Sequence, residues 1–207
     1  NDGEGLMGIV LGTDDLEAVR NKLIALGYSL PSQSNGEGIN TNNNSKRSWV
    51  NQFLPIELTR GLFSFIIQHK EGYLPEAKKL DNNFVKKLDH IVIKTNNADS
   101  FIDVYNKIFD IRLALDKFIE TWKRRMLFFR LNKTTIEVIE EKDESKISKD
   151  ILWGLAWEVD DINKKIDELV ADGKDVSEIK KGVKENTLVA TIKSQTHNVP
   201  TLLIQYV

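Results

Sequence analysis

Leu88-Asp89-His90-Ile91-Val92-Ile93-Lys94-Thr95-Asn96-Asn97-Ala98 is the stretch on which the fold turns, because the chain writes its pattern twice more. The other copies are Leu6-Met7-Gly8-Ile9-Val10-Leu11-Gly12-Thr13-Asp14-Asp15-Leu16 and Leu152-Trp153-Gly154-Leu155-Ala156-Trp157-Glu158-Val159-Asp160-Asp161-Ile162, and the three align without gaps. A repeat of this kind is one supersecondary unit used several times. Each copy opens with a short apolar run, read as a strand, and then reaches Thr13-Asp14, Asn96-Asn97 or Asp160-Asp161. Those side chains accept hydrogen bonds from the unpaired N–H groups of a helix start.

Working outward, an apolar stripe at helical spacing follows each turn. It is Leu16, Val19, Leu23 and Leu26 in the first copy, and Phe101, Ile102, Val104, Tyr105, Ile108 and Phe109 in the second. In the third it is Ile162, Ile166, Leu169 and Val170. Such a stripe is one helix face laid on a sheet. Gly27 and Gly173 close the first and third helices as C-terminal caps. Strands then read over Trp49 to Leu54 and Leu62 to Gln68, over Arg124 to Leu131 and Thr134 to Glu140, and over Thr187 to Lys193 and Thr201 to Tyr206. Phe65-Ile66-Ile67-Gln68 mirrors Leu202-Leu203-Ile204-Gln205. The unit is strand, helix, three strands: an α+β chain of tandem βαβββ units. Ser32 to Lys46, rich in Ser, Asn and Gly, reads as loop, and residues 72–86 read as a linker. The expected organisation is a single unit over 1–71, then a pair over 87–207 made of 87–141 and 151–207.

Composition narrows the class. With 41% hydrophobic and 29% charged residues in 207, the chain is ordinary globular material. Lys and Arg number 29 against 31 Asp and Glu, with no basic run to track a phosphate backbone, so a nucleic-acid partner is not expected. No apolar run approaches the length of a membrane span, so no membrane partner is expected either. The absence of Cys removes disulfides, zinc thiolates and a cysteine nucleophile and fits a cytoplasmic location. No Gly-rich phosphate loop appears, so no nucleotide cofactor is expected.

Tandem βαβββ units with Leu88-Asp89-His90 opening a strand, Phe101 and Tyr105 on the helix, and Thr135-Ile136-Glu137-Val138 in the last strand resemble the vicinal oxygen chelate superfamily. That group takes in glyoxalase I, extradiol dioxygenases and bleomycin or fosfomycin resistance proteins, and the first unit is most similar to its glyoxalase-like branch. The resemblance implies that two units set curved mixed sheets side by side as an open cup with helices outside. It also implies a divalent metal, Fe, Mn, Zn or Ni, held by residues of the first and fourth strands of each unit. By that resemblance His90 and Glu137 are the metal ligands and catalytic pair. The third unit presents Gly154 where His90 stands and Leu203 or a neighbour where Glu137 stands, and the first presents Gly8 and a residue among Ser64 to Ile66. Half a ligand set is left.

The residues also allow a plainer account. His90 on a strand is equally a half-buried histidine bonded to Glu137, although a carboxylate interrupting Ile136, Val138 and Ile139 demands a partner, a metal or a raised pKa. His69 and His197 read as surface loop residues. Arg124, Arg125 and Arg130 fit a solvated face, and a cup-facing arginine would suit an anionic substrate. Arg125, Phe128 and Trp157 are the candidate substrate contacts. The expected function is a glyoxalase-like lyase, isomerase or dioxygenase acting on a small oxygenated molecule, and the alternative is a metal-free binding protein of resistance type. A lone first unit leaves Phe63, Phe65 and Ile67 on an uncovered face. Its expected cover is a missing N-terminal unit or a homodimer partner.

Overall fold

The computed structural model describes residues 3–72, 74, 85–142 and 149–207. The chain divides into two compact units, each built on its own sheet. The first contains β1 (Ile9–Gly12), α1 (Leu16–Ala25), β2 (Ser34–Ile39), β3 (Lys46–Phe53) and β4 (Ser64–Glu71). Its sheet runs β1-β4-β3-β2, with β1 parallel to β4 and the other pairs antiparallel.

The second sheet has eight strands. Its elements are β5 (Val85–Thr95), α2 (Ala98–Ile102) prolonged by a π-helical stretch over Asp103–Ile108, β6 (Arg112–Ile119), β7 (Arg124–Leu131) and β8 (Thr134–Glu140). Then come β9 (Ile151–Val159), α3 (Ile162–Ala171), β10 (Lys180–Lys181), β11 (Thr187–Ile192) and β12 (Thr201–Tyr206). Phe101–Asp110 group with the first unit. The strand order is β10-β11-β12-β9-β5-β8-β7-β6, so two repeats share one mixed, curved sheet that is not closed into a barrel. The seam is the antiparallel pair β5·β9, and each repeat's first strand runs parallel to its own last. Both compact units are mostly strand with few helices, the α+β class expected.

One device recurs at all three helix starts. Asp15, Asn97 and Asp161 accept from the backbone N–H groups of Ala18, Ser100 and Lys164 at 2.9, 2.9 and 3.1 Å. In the first copy the cap is therefore Asp15, one residue beyond Thr13-Asp14. A second acceptor comes from the last strand: Gln68, Glu140 and Gln205 accept from Leu16, Ala98 and Ile162 at 3.2, 3.0 and 2.8 Å. Helix starts leave four N–H groups unpaired, and here two of them are met from two separate elements. Gly27 and Gly173, at φ +89° and +76°, end α1 and α3 in the left-handed conformation that a Cβ would penalise.

The Ser32 to Lys46 loop is corrected, since Ser34–Ile39 forms an edge strand paired with β3. Apolar alternation is missing there because Trp49 fills the space itself, coming within 2.3 Å of where a Cβ on Gly36 would stand. Most of residues 72–86, read as a linker, lies outside the described residues. In the third repeat Val159, Ile162, Ala190 and Leu203 form a buried cluster, with Trp157, Ile166 and Leu169 packed against it.

Two substitutions test this account by urea unfolding. Leu203→Ala opens a cavity in that cluster and should cost roughly 2–5 kcal/mol. Gln205→Ala leaves the Ile162 N–H unpaired and should cost about 1 kcal/mol without changing the fold.

Candidate functional site

Strand pairing decides which side chains share the face bearing His90. In β5·β8, His90 stands opposite Thr135 and Val92 opposite Glu137. In β7·β8, Phe128 stands opposite Glu137 and Arg130 opposite Thr135, and in β5·β9 Ala156 faces His90 and Gly154 faces Val92. Side chains in register point to one side of a sheet. His90, Glu137, Phe128, Thr135 and Arg130 therefore share a face, while Ile93, Leu127, Phe129, Ile136 and Val138 fill the other and are buried.

The β5·β9 register shifts at three places, between Val85 and Lys87, Leu88 and His90, and Val92 and Ile93, and the middle one bears on His90. Between Leu88 and His90 the β5·β9 register shifts, two residues of β5 advancing against one of β9, so Asp89 is the extra residue of a bulge. Bulges re-aim side chains, and this one lets the Asp89 carboxylate meet the ring of its own neighbour: His90 Nδ1 lies 2.9 Å from Asp89 Oδ2. The Tyr206 hydroxyl, from β12 of the third repeat, donates to Asp89 Oδ1 at 2.8 Å, and Lys184 Nζ donates to Tyr206 at 2.7 Å. With Nδ1 committed to Asp89, the imidazole presents Nε2 to Glu137 Oε2 at 3.8 Å.

The two carboxyls beside His90 are driven in opposite directions. Burial raises the pKa of Glu137 above the ordinary carboxylate value and the Asp89 charge adds to that, His90 opposing both. Burial pushes Asp89 the same way, but hydrogen bonds from His90 and Tyr206 outweigh it and hold that carboxyl below the usual value. Burial, reinforced by the hydrogen bond to Asp89, pushes the Tyr206 hydroxyl up, so it stays protonated as the donor. The same imidazole therefore stands between one carboxyl pushed up and one held down.

Other expected site residues lie elsewhere. Arg125 is on the opposite face, its guanidinium bidentate to Asp116 at 2.9 and 2.7 Å and bonded to Asp99 at 2.9 Å. Trp157 packs against the buried cluster of the third repeat. Neither is brought to the His90 face, whereas Phe128 is. His69 is an exposed residue inside β4, and His197 sits in a turn 3.0 Å from Glu4. Sequence reasoning missed Asp89 and Tyr206. Asp89 was in view beside His90, but the bulge that turns it has no sequence signature; Tyr206 is 117 residues from its partner.

The donor set bears on metal. Register places Leu202, opposite Ala156, where the third repeat would match Glu137, and in the first repeat Phe65, opposite Val10, takes that place. At Gly154 a Cβ would come within 2.8 Å of the Pro200 carbonyl, so no ligating side chain fits there. Among the described residues no three His, Cys, Asp or Glu are grouped to hold an ion. Two donors do not fit a tightly held divalent metal, which ordinarily takes three or four protein ligands.

Comparison with known proteins follows this geometry. The Glyoxalase-like domain family matches residues 1–109, more than half of the chain, and the Glyoxalase/Bleomycin resistance protein/Dioxygenase superfamily matches residues 89–191. No curated protein matches. Among solved structures, methylmalonyl-CoA epimerase from Mycobacterium tuberculosis is similar at 18% identity and TM-score 0.53, over 62% of this chain and 93% of that one. A hypothetical protein from Bacillus halodurans is similar at 19% and 0.51, over 58% and 94%. Streptomyces coelicolor methylmalonyl-CoA epimerase in complex with 2-nitronate-propionyl-CoA is similar at 16% and 0.51, over 59% and 96%. At these identities the likeness is one of fold.

The opposed shifts give a pH signature. Because the Glu137 pKa is raised on folding, its contribution favours the folded state below the unfolded value, about 4, and is lost as pH rises through the folded value. Glu137→Gln should therefore raise the melting temperature at pH 7, with the gap closing toward pH 4. Asp89 has the opposite sign: its stabilisation is present above about pH 4 and lost as pH falls through the lower folded value. Asp89→Asn should lower the melting temperature at pH 7. Scanning calorimetry from pH 4 to 8 reads both.

Proposed function

We propose, from the premise that this chain belongs to the glyoxalase-like domain family of the vicinal oxygen chelate superfamily, that it moves a proton on a small oxygenated molecule bound at the His90 face. The observation that carries this reading is the array Asp89, His90, Glu137, with Nδ1 fixed at 2.9 Å and Nε2 turned to a half-buried carboxyl at 3.8 Å.

His90 Nε2 takes a proton from a carbon beside a carbonyl, the C–H electron pair becomes a C=C bond, and the carbonyl π pair moves onto the oxygen. Asp89 stabilises the imidazolium that forms, and Tyr206 holds Asp89 in place. Glu137 in its neutral form gives its proton to that oxygen. The imidazolium then gives its proton to the former carbonyl carbon while the Glu137 carboxylate takes the proton of the hydroxyl on the carbon first deprotonated, whose oxygen becomes the new carbonyl, which completes an isomerisation of a 2-hydroxy carbonyl compound with no net change in protons. Phe128, opposite Glu137, keeps water from the carboxyl and sustains its raised pKa. The resemblance implies a divalent ion, for which His90 and Glu137 would be the protein ligands. Two donors do not fit that role, so none of these steps uses one.

The test is deuterium exchange. The protein is incubated in D2O with a panel of small 2-oxo and 2-hydroxy carbonyl compounds, and loss of the C–H signal is followed by proton NMR. Exchange with at least one compound should fall about 10²-fold or more in His90→Gln and in Glu137→Gln. Dialysis against EDTA should leave the wild-type rate unchanged. No exchange across the panel would move the assignment to a non-catalytic binding protein of the same fold.

A further inference from the structure

One row of the eight-stranded sheet crosses the site: Arg112 on β6, Arg130 on β7, Thr135 on β8, His90 on β5 and Ala156 on β9. Its outer end is Arg112 directly opposite Arg130. Like charges facing each other across two strands repel, and among the described residues neither of these exposed guanidinium groups lies within 4.0 Å of a carboxylate. The arginines beside Arg130 on the same strand are different. Arg124 pairs with Glu141, and Arg125 with Asp99 and Asp116.

Arg130 is also aimed. Its Nη1 donates to Thr135 Oγ1 at 2.8 Å, so the side chain reaches β8 at the residue opposite His90. One Nη1 donor is used; the rest of the fork has no carboxylate. Adjacent strands lie about 4.8 Å apart, so Arg130 and His90, two strands apart, leave room for a small molecule that touches both.

We infer that the molecule bound at the His90 face carries an oxyanion, a carboxylate or a phosphate, gripped by Arg130 with Arg112 beside it. This rests on the reading that the substrate lies at His90 and Glu137, and it names the substrate's class. A planar guanidinium offers paired parallel donors to such a group, and an incoming anion relieves the Arg112–Arg130 repulsion. Glu137 in its neutral form does not repel an anion arriving next to it.

Isothermal titration calorimetry of the full chain with malonate, inorganic phosphate and uncharged malonamide tests the proposal. Malonate or phosphate should bind and malonamide should not, and the anion that binds identifies which oxyanion is meant. Arg130→Gln should weaken that binding at least tenfold and Arg130→Lys less, while neither variant lowers the melting temperature, since Arg130 is exposed and faces Arg112. Glu137→Gln should bind the anion at least as tightly as wild type. Failure of both anions to bind wild type, or equal binding by Arg130→Gln, would overturn the inference. Anion binding without proton exchange in the D2O experiment would leave the anion site standing and remove the catalytic reading.

Discussion

The pairing of β5 with β9 is the constraint on which the second unit depends. It joins two repeats into one sheet, and it carries the bulge that sets Asp89 beside His90. Without the extra residue, Asp89 would point to the face opposite His90 and the imidazole would lose the partner that fixes its orientation. The same seam brings in Tyr206. β12 pairs with β9, β9 with β5, and so the end of the third repeat reaches a carboxylate in the opening strand of the second. Asp89 is buried, and leaving its carboxylate without these donors would cost its desolvation.

The repeats kept what builds the unit and diverged on the face that bears His90 and Glu137. All three hold a side-chain acceptor at the helix start and a Gln or Glu reaching back from the last strand. The face that bears His90 and Glu137 in one repeat bears Gly154 and Leu202 in the next, and Val10 with the ring cluster Phe53, Phe63 and Phe65 in the first unit. A paired module with one polar half is an asymmetric site. The third repeat contributes a positioning hydroxyl, from Tyr206, where a symmetric pair would contribute ligands.

Much of the architecture could be read from residues alone, because a gapless repeat aligns weak signals three times over. Helix stripes, glycine caps and the closing strands follow from period and turn chemistry. The edge strand Ser34–Ile39 does not, since its glycines make room for Trp49 and leave no apolar alternation to see. For the site, the period of two suffices to place His90 and Glu137 on one face once their strands are neighbours. On β7 it does not suffice: Met126 and Phe128 are as apolar as Leu127 and Phe129, so sequence cannot say whether Arg125 or Arg130 shares the face of Glu137. Trp157 is a different case. The repeat alignment sets Gly154 against His90, so a residue three further on has the opposite parity, and that signal was present in the sequence.

Two carboxyls flank one imidazole, yet the fold treats them oppositely, and the difference is a matter of donors. Asp89 receives two hydrogen bonds, from His90 and Tyr206, which return more than its burial takes. Glu137 stands between Val92 and Phe128 in register, with no hydrogen bond among the described residues to offset desolvation, and His90 Nε2 is 3.8 Å away. A sequence selected only for stability would put an apolar residue at 137, as the third repeat does with Leu202. Holding a desolvated acid in that position costs folding free energy at neutral pH, and proteins retain such costs chiefly where a site uses them. That argument supports a working role for Glu137 independently of any family likeness, because it rests on the mismatch between the carboxyl and its surroundings.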